Sequence, residues 1–241
     1  VEKPLEEVVE KPVEKPVEKI QSTELSDLIK EYKPTEWIVD SFGAKGACVL
    51  LAGDKGSGKT AFLYRLSEAI SNGSVFMGEL STTPKKVLVW QADESRNNAH
   101  VKIKMMDLKG KIYFLFSDDL GGNKLDIKVL KNHIINEKID VICIDSITGL
   151  LMGHGINIKD SEFCKPLYEL NNLASELGVL IVISAHLTKE DRSEVNLNDI
   201  LGAGTQGGAV SDIWGLWTDE HDDEIFFMKC LGKRNCEKGT V

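Results

Sequence analysis

Residues 47–71, ACVLLAGDKGSGKTAFLYRLSEAIS, join an apolar run to a helically spaced segment through a turn with glycines at 53, 56 and 58. A backbone that leaves a covered strand, bends sharply and enters a helix within a few residues needs glycine wherever a side chain would forbid the bend or block a close approach. This unit demands strands and helices in alternation, and the remaining chain supplies them. KVLVWQ (86–91), IYFLF (112–116), DVICID (140–145), VLIVIS (179–184), DIWGLW (212–217) and EIFFMKC (224–230) are short and rich in β-branched and aromatic residues. They mostly lack polar alternation, as strands covered on both faces do. TAFLYRLSEAIS, NKLDIKVLKNHIINEK and SEFCKPLYELNNLASELG have helical spacing, with Gly73 and Gly178 placed as C-terminal stops. The expected fold is α/β, a mainly parallel sheet flanked by helices, ending in an antiparallel strand pair around TDEHDDE.

At 241 residues and 42% hydrophobic content the chain can bury one substantial core. Residues 1–19 repeat a Val-Glu-Lys-Pro unit whose prolines forbid a continuous helix and whose charges leave little to bury. The expected organisation is a disordered low-complexity linker over 1–21 and one domain over 22–241. The first residue is Val, and the closing NCEKGTV stops in mid-pattern, so the sequence is expected to be a piece of a longer protein. No run of eighteen apolar residues and no charged-then-apolar leader is readable, so the expectation is a cytoplasmic protein without a membrane partner. The five cysteines include no CxxC pair, which argues against a disulfide framework or zinc site. A net charge of −9 excludes a uniformly basic nucleic-acid coat, leaving only local contacts to nucleic acid.

Gly53-Asp54-Lys55-Gly56-Ser57-Gly58-Lys59-Thr60 fits G-x-x-x-x-G-K-[ST], with a strand before it and a helix after it. Backbone N–H groups from this turn through Ala61, together with the positive end of the helix, would cradle the phosphates of a nucleotide. Lys59 would neutralise their charge, and the Thr60 hydroxyl would ligate Mg²⁺. Such a metal needs a second anchor, and Asp145 closes a buried strand where one belongs. Ser146 follows it, so a carboxylate that orients attacking water must come from another strand end. VLVWQADES offers Asp93 and Glu94, and the sequence leaves both open. Either Asp93 or Ser95 would also cap a helix over RNNAHVKIKMM.

DVICIDSITGL resembles the second phosphate-site motif of RecA-type ATPases. The order of motifs over residues 35–241 is similar to that of the RepA- and DnaB-type hexameric helicases. The resemblance implies a RecA-like P-loop fold, ATP as nucleotide, and a general-base glutamate just after the strand that follows the phosphate loop, in agreement with the acid pair Asp93 and Glu94, whose adjacency leaves the register open. VLIVISAHLTK is similar to the family strand ending in a γ-phosphate sensor, which gives that role to His186. CLGKRNCEKGT looks like the late strand with a basic finger that enters the neighbouring subunit's site, implying Arg234 with Lys233 beside it; Gly232 stands where such helicases often carry a further basic residue. A finger acting in trans implies a head-to-tail ring or filament. The resemblance also places single-stranded DNA contacts on loops 149–160 and 187–209, which carry Lys159, Lys189 and Arg192. The implied function is a Mg²⁺-dependent ATPase motor of a DNA helicase in replication or mobile-element maintenance. A recombinase or loader with the same core, or a nucleotide-gated scaffold module, would present the same motifs.

Overall fold

The computed structural model describes residues 22–120, 126–152, 164–187, 194–200, 208–219, 221–222 and 225–233. The 1–21 linker, Arg234, Lys159, Lys189 and Arg192 therefore lie outside the described residues, as do most of the two expected DNA loops. The chain divides after Pro34 into two units. The first contains one short helix, α1 (Leu25–Lys30), with Lys30 paired to Asp27 at 2.9 Å.

The second unit is built on a seven-stranded sheet in the order β5-β4-β6-β7-β3-β8-β9. These strands are β3 (Cys48–Gly53), β4 (Val87–Gln91), β5 (Ile112–Phe116), β6 (Val141–Asp145), β7 (Leu180–His186), β8 (Asp212–Thr218) and β9 (Phe226–Lys233). All neighbours pair in parallel except β8 and β9, which are antiparallel. Each of the seven apolar runs read from the sequence is one of these strands. A smaller antiparallel pair, β1 (Trp37–Val39) with β2 (Gly43–Ala44), precedes them.

Burial on both faces explains the unbroken apolar runs. Along β3, Cys48, Leu50 and Ala52 join Leu88, Trp90, Ile142, Ile144, Ile181 and Ile183 in one cluster, closed by Leu167, Leu170 and Leu173 of α6 (Cys164–Leu177). The alternate residues Val49 and Leu51 join Val89, Cys143 and Val182 in the opposite cluster, closed by Leu63, Leu66 and Ile70 of α2 (Lys59–Asn72). Each Val, Leu or Ile among them contributes about 1.5–3 kcal/mol when removed from water, so neither face tolerates a polar substitution without a partner. The remaining helices are α3 (Arg96–Met105), α4 (Ile127–Glu137) and α5 (Ile147–Met152). Gly73 ends α2 at φ +65° and Gly178 follows α6 at φ +63°, both in the left-handed region that a helix stop uses. Among the described residues no helix is long and apolar enough to cross a membrane.

The parallel register brings the carboxyl ends of the central strands level. Gln91 of β4 lies opposite Asp145 of β6, and Gly53 of β3 lies opposite His186 of β7. Side chains just beyond these positions therefore share one crevice, where ligands bind in open α/β sheets.

Candidate functional site

The turn from β3 into α2 is shaped by its glycines. Gly56 and Gly58 have φ of +92° and +80°. At Gly53 a Cβ would stand 2.5 Å from Ser57 Oγ and 2.6 Å from Leu216 O, so the turn closes only without one. Gly58 is the N-cap of α2 and offers no side chain to cap it. The first N–H groups of the helix are thus left for another acceptor. Lys59 is only 6% exposed; its Nζ donates to Gly53 O at 2.8 Å and Asp54 O at 2.6 Å. Burial lowers its pKa, against the pull of Asp145, Asp54 and Asp93. An ammonium desolvated in this way, beside uncapped helix N–H groups and a buried Ser57 Oγ without a hydrogen-bond partner, forms a cradle for an anion.

Asp145 closes β6 at 5% exposure and is held by three side-chain donors. Thr60 Oγ1 donates to its Oδ2 at 2.7 Å, Gln91 Nε2 to the same oxygen at 3.2 Å, and Ser184 Oγ to its Oδ1 at 2.5 Å. The peptide bond from Asp145 to Ser146 is cis. Beyond β4, the N–H groups of Ala92 and Asp93 both donate to the Asp145 carbonyl, at 2.7 and 3.2 Å.

The two acids after β4 part company. Asp93 accepts a hydrogen bond from Ser146 Oγ, and its Oδ2 lies 3.9 Å from His186 Nε2. Glu94 turns toward α3 and pairs with Lys102, while its second oxygen is buried without a partner. Ser95, not Asp93, is the N-cap of α3, accepting from Asn98 N at 3.4 Å. Helix capping therefore leaves both carboxylates free for other work. His186 has its pKa lowered, chiefly by burial and then by Lys59, with Asp93 and Asp145 pulling the other way.

One cavity of about 720 Å³ gathers these groups. It is lined by Lys55, Gly56, Gly58, Lys59, Thr60 and Ala61 of the turn and by Asp93, Glu94, Asp145 and His186. Gly53, Asp54 and Ser57 complete the turn behind. Lys233 ends β9 opposite Asp212 in backbone register. Lys102, Met105 and Met106 also line the cavity, and none was singled out from the sequence. Gly149 was missed as well, since its tight approach to Asp93 is a tertiary contact. Gln91 and Ser184 had a readable signal, a polar residue inside an otherwise apolar strand.

Among the described residues no group of three or more His, Cys, Asp or Glu side chains is arranged to hold a metal. A magnesium triphosphate does not need one, because Mg²⁺ keeps several waters and takes phosphate oxygens with one or two protein ligands. The hard oxygens of Thr60 and Asp145 beside an anion cradle fit that group.

The AAA domain family profile matches residues 14–192. The chain belongs to this family. No curated protein matches it. Among solved structures, this AAA domain resembles one described as a DnaB-like replicative helicase and its interactions with primase, with a TM-score of 0.62 and 15% identity. The match covers 82% of this chain and 54% of that one, so the AAA domain spans about half the length of the helicase chain. The shared architecture is the RecA-like α/β fold, with its mostly parallel sheet and antiparallel C-terminal pair.

Proposed function

We propose that this chain binds Mg²⁺-ATP and hydrolyses it as the motor domain of a ring-forming DNA helicase. The observation that carries the reading is the convergence of Lys59, Thr60, Asp145 and Asp93 on one cavity at the carboxyl ends of β3, β4 and β6. Phosphates enter the turn of residues 53–61, where Lys59 exchanges its two carbonyl partners for phosphate oxygens and recovers the counter-charge that burial denies it. Thr60 and Asp145 hold the Mg²⁺, which supplies neutralisation of the charge that builds on the phosphate oxygens. Asp93 takes the proton of the attacking water. Its side chain stands between Ser146 and His186 on the cavity wall, whereas Glu94 is engaged with Lys102. His186, adjacent to Asp93, reads the terminal phosphate.

The outer parts of the motor rest on sequence alone. Arg234, with Lys233, completes the site of the next subunit in a head-to-tail ring, and loops 149–160 and 187–209 contact single-stranded DNA. The deciding experiment measures ATP turnover with and without single-stranded DNA, in the wild-type chain and in Lys59→Ala. The expected result is DNA-stimulated turnover that disappears in the variant. Wild-type turnover in Lys59→Ala removes the phosphate-site assignment. Nucleotide-driven assembly without DNA stimulation moves the chain from motor to nucleotide-gated switch.

A further inference from the structure

Gln91 and Tyr64 are fully buried polar side chains in an apolar interior, and neither belongs to the phosphate turn or the acid pair. Gln91 ends β4; Tyr64 lies one turn into α2, four residues after Thr60. The Gln91 amide nitrogen donates to Tyr64 OH at 2.8 Å and to Asp145 Oδ2 at 3.2 Å. Its amide oxygen is buried without a hydrogen-bond partner. Leaving that oxygen bare costs about 1–3 kcal/mol. Flipping the amide does not recover this cost, because it would set the oxygen against the Asp145 carboxylate, which only accepts. The chain keeps a costly residue in the one orientation that serves Asp145.

We propose that Gln91, braced by Tyr64, is a positioning residue that fixes the Asp145 carboxylate for a divalent cation. This role rests on the reading of Asp145 as the Mg²⁺ carboxylate. Thr60 and Gln91 share Oδ2 while Ser184 holds Oδ1, so three donors define the plane of the carboxylate. Thr60 and Tyr64 ride on the same helix, and Gln91 sits two residues before Asp93 on the same chain segment. The contact therefore ties the metal carboxylate to both the phosphate helix and the strand that carries the proposed base. Ala92 and Asp93 reinforce the tie through their N–H groups to the Asp145 carbonyl. Loss of an outer-shell partner of this kind typically weakens metal binding about 10–100-fold.

The test is equilibrium binding of a fluorescent ATP analogue to the full chain, titrated with MgCl₂ and repeated in EDTA, for wild type, Gln91→Met and Tyr64→Phe. Gln91→Met should raise the half-saturating Mg²⁺ by about tenfold or more and leave binding in EDTA unchanged. Tyr64→Phe, which deletes one oxygen atom, should shift the Mg²⁺ requirement less and in the same direction. A merely structural role would weaken binding equally with and without metal, and that outcome overturns the proposal. So does an unchanged Mg²⁺ requirement in both variants. If Gln91→Met does not fold, Tyr64→Phe decides alone: a selective shift supports the role and its absence overturns it. A wild-type chain that binds no triphosphate overturns the proposed function and this role together, whereas Mg²⁺-dependent wild-type binding with unshifted variants overturns only the role.

Discussion

One carboxylate ends β6 and another stands two residues past the tip of β4, yet their surroundings differ. Asp145 is 5% exposed and saturated by neutral donors from Thr60, Gln91 and Ser184. Asp93 has a third of its side chain open and is held by Ser146, with His186 3.9 Å away. The first carboxylate is fixed in place by its hydrogen bonds, as the proposed metal ligand needs to be. The second has room to meet water and to take a proton. Backbone hydrogen bonds tie the tips together, so the difference lies in the side chains alone.

The largest expected effects test that division directly. Asp145→Asn replaces an acceptor with an amide whose NH₂ faces donors, and it removes the charge. Mg²⁺-dependent triphosphate binding should weaken beyond the 10–100-fold or so typical of an outer-shell loss, and turnover should vanish with it. Asp93→Asn should leave that binding intact while lowering turnover by about 10²–10⁴-fold, the usual worth of a positioned base. Equilibrium titration and steady-state ATPase rates on both variants check this. If Asp93→Asn weakens metal-dependent binding as much as Asp145→Asn does, the tips do not divide the labour. Full turnover in Asp93→Asn passes the base to Glu94 and leaves Ser146 and His186 as structural neighbours.

A smaller effect comes from moving one tip without changing its chemistry. Gly149 of α5 lies so close to the β4 tip that a Cβ would stand 2.1 Å from Asp93 Oδ1 and 2.7 Å from Ala92 O. Gly149→Ala must push Asp93 aside, at a stability cost of about 1–3 kcal/mol read by denaturant unfolding. A displaced base should slow turnover roughly tenfold to a hundredfold, with the Mg²⁺ requirement for binding unchanged. A shifted Mg²⁺ requirement would mean that the backbone bonds carry the displacement to Asp145, and the tips move as one.

The contrast also marks what the sequence made legible. The seven strands were readable because strands covered on both faces become continuous apolar runs, and the turn into α2 was readable because its glycines at 56 and 58 adopt positive φ. Asp145 was readable as the acid that ends such a run. The pair β1 and β2 was not, since segments of three and two residues carry no period. Asp93 and Glu94 could not be separated, because both follow the strand and both border the cavity; what distinguishes them is their partners, Ser146 for Asp93 and Lys102 for Glu94. Gln91 and Ser184 announced themselves as polar residues within VLVWQ and VLIVIS, but their shared target is set by register between strands far apart in sequence.

The smallest effect is a pH dependence that distinguishes the tips through His186. Burial and Lys59 lower its pKa, while Asp93 raises it more than Asp145 does. In the unfolded chain the imidazole titrates near its ordinary value of about 6.5, so as pH falls past that point the unfolded state takes up a proton that the folded state refuses. Stability is therefore full above the unfolded value and declines as pH falls toward the lower folded one. Thermal unfolding from pH 8 to 5.5 should show wild type losing more on the acid side than His186→Gln, which cannot titrate. Asp93→Asn should steepen the loss, because the stronger of the two carboxylate influences has gone; a bound triphosphate should flatten it by placing negative charge beside the ring. An equal acid slope in wild type and His186→Gln would show that the imidazole does not feel the cavity at all, and with it the link between His186 and the open tip of β4 would be lost.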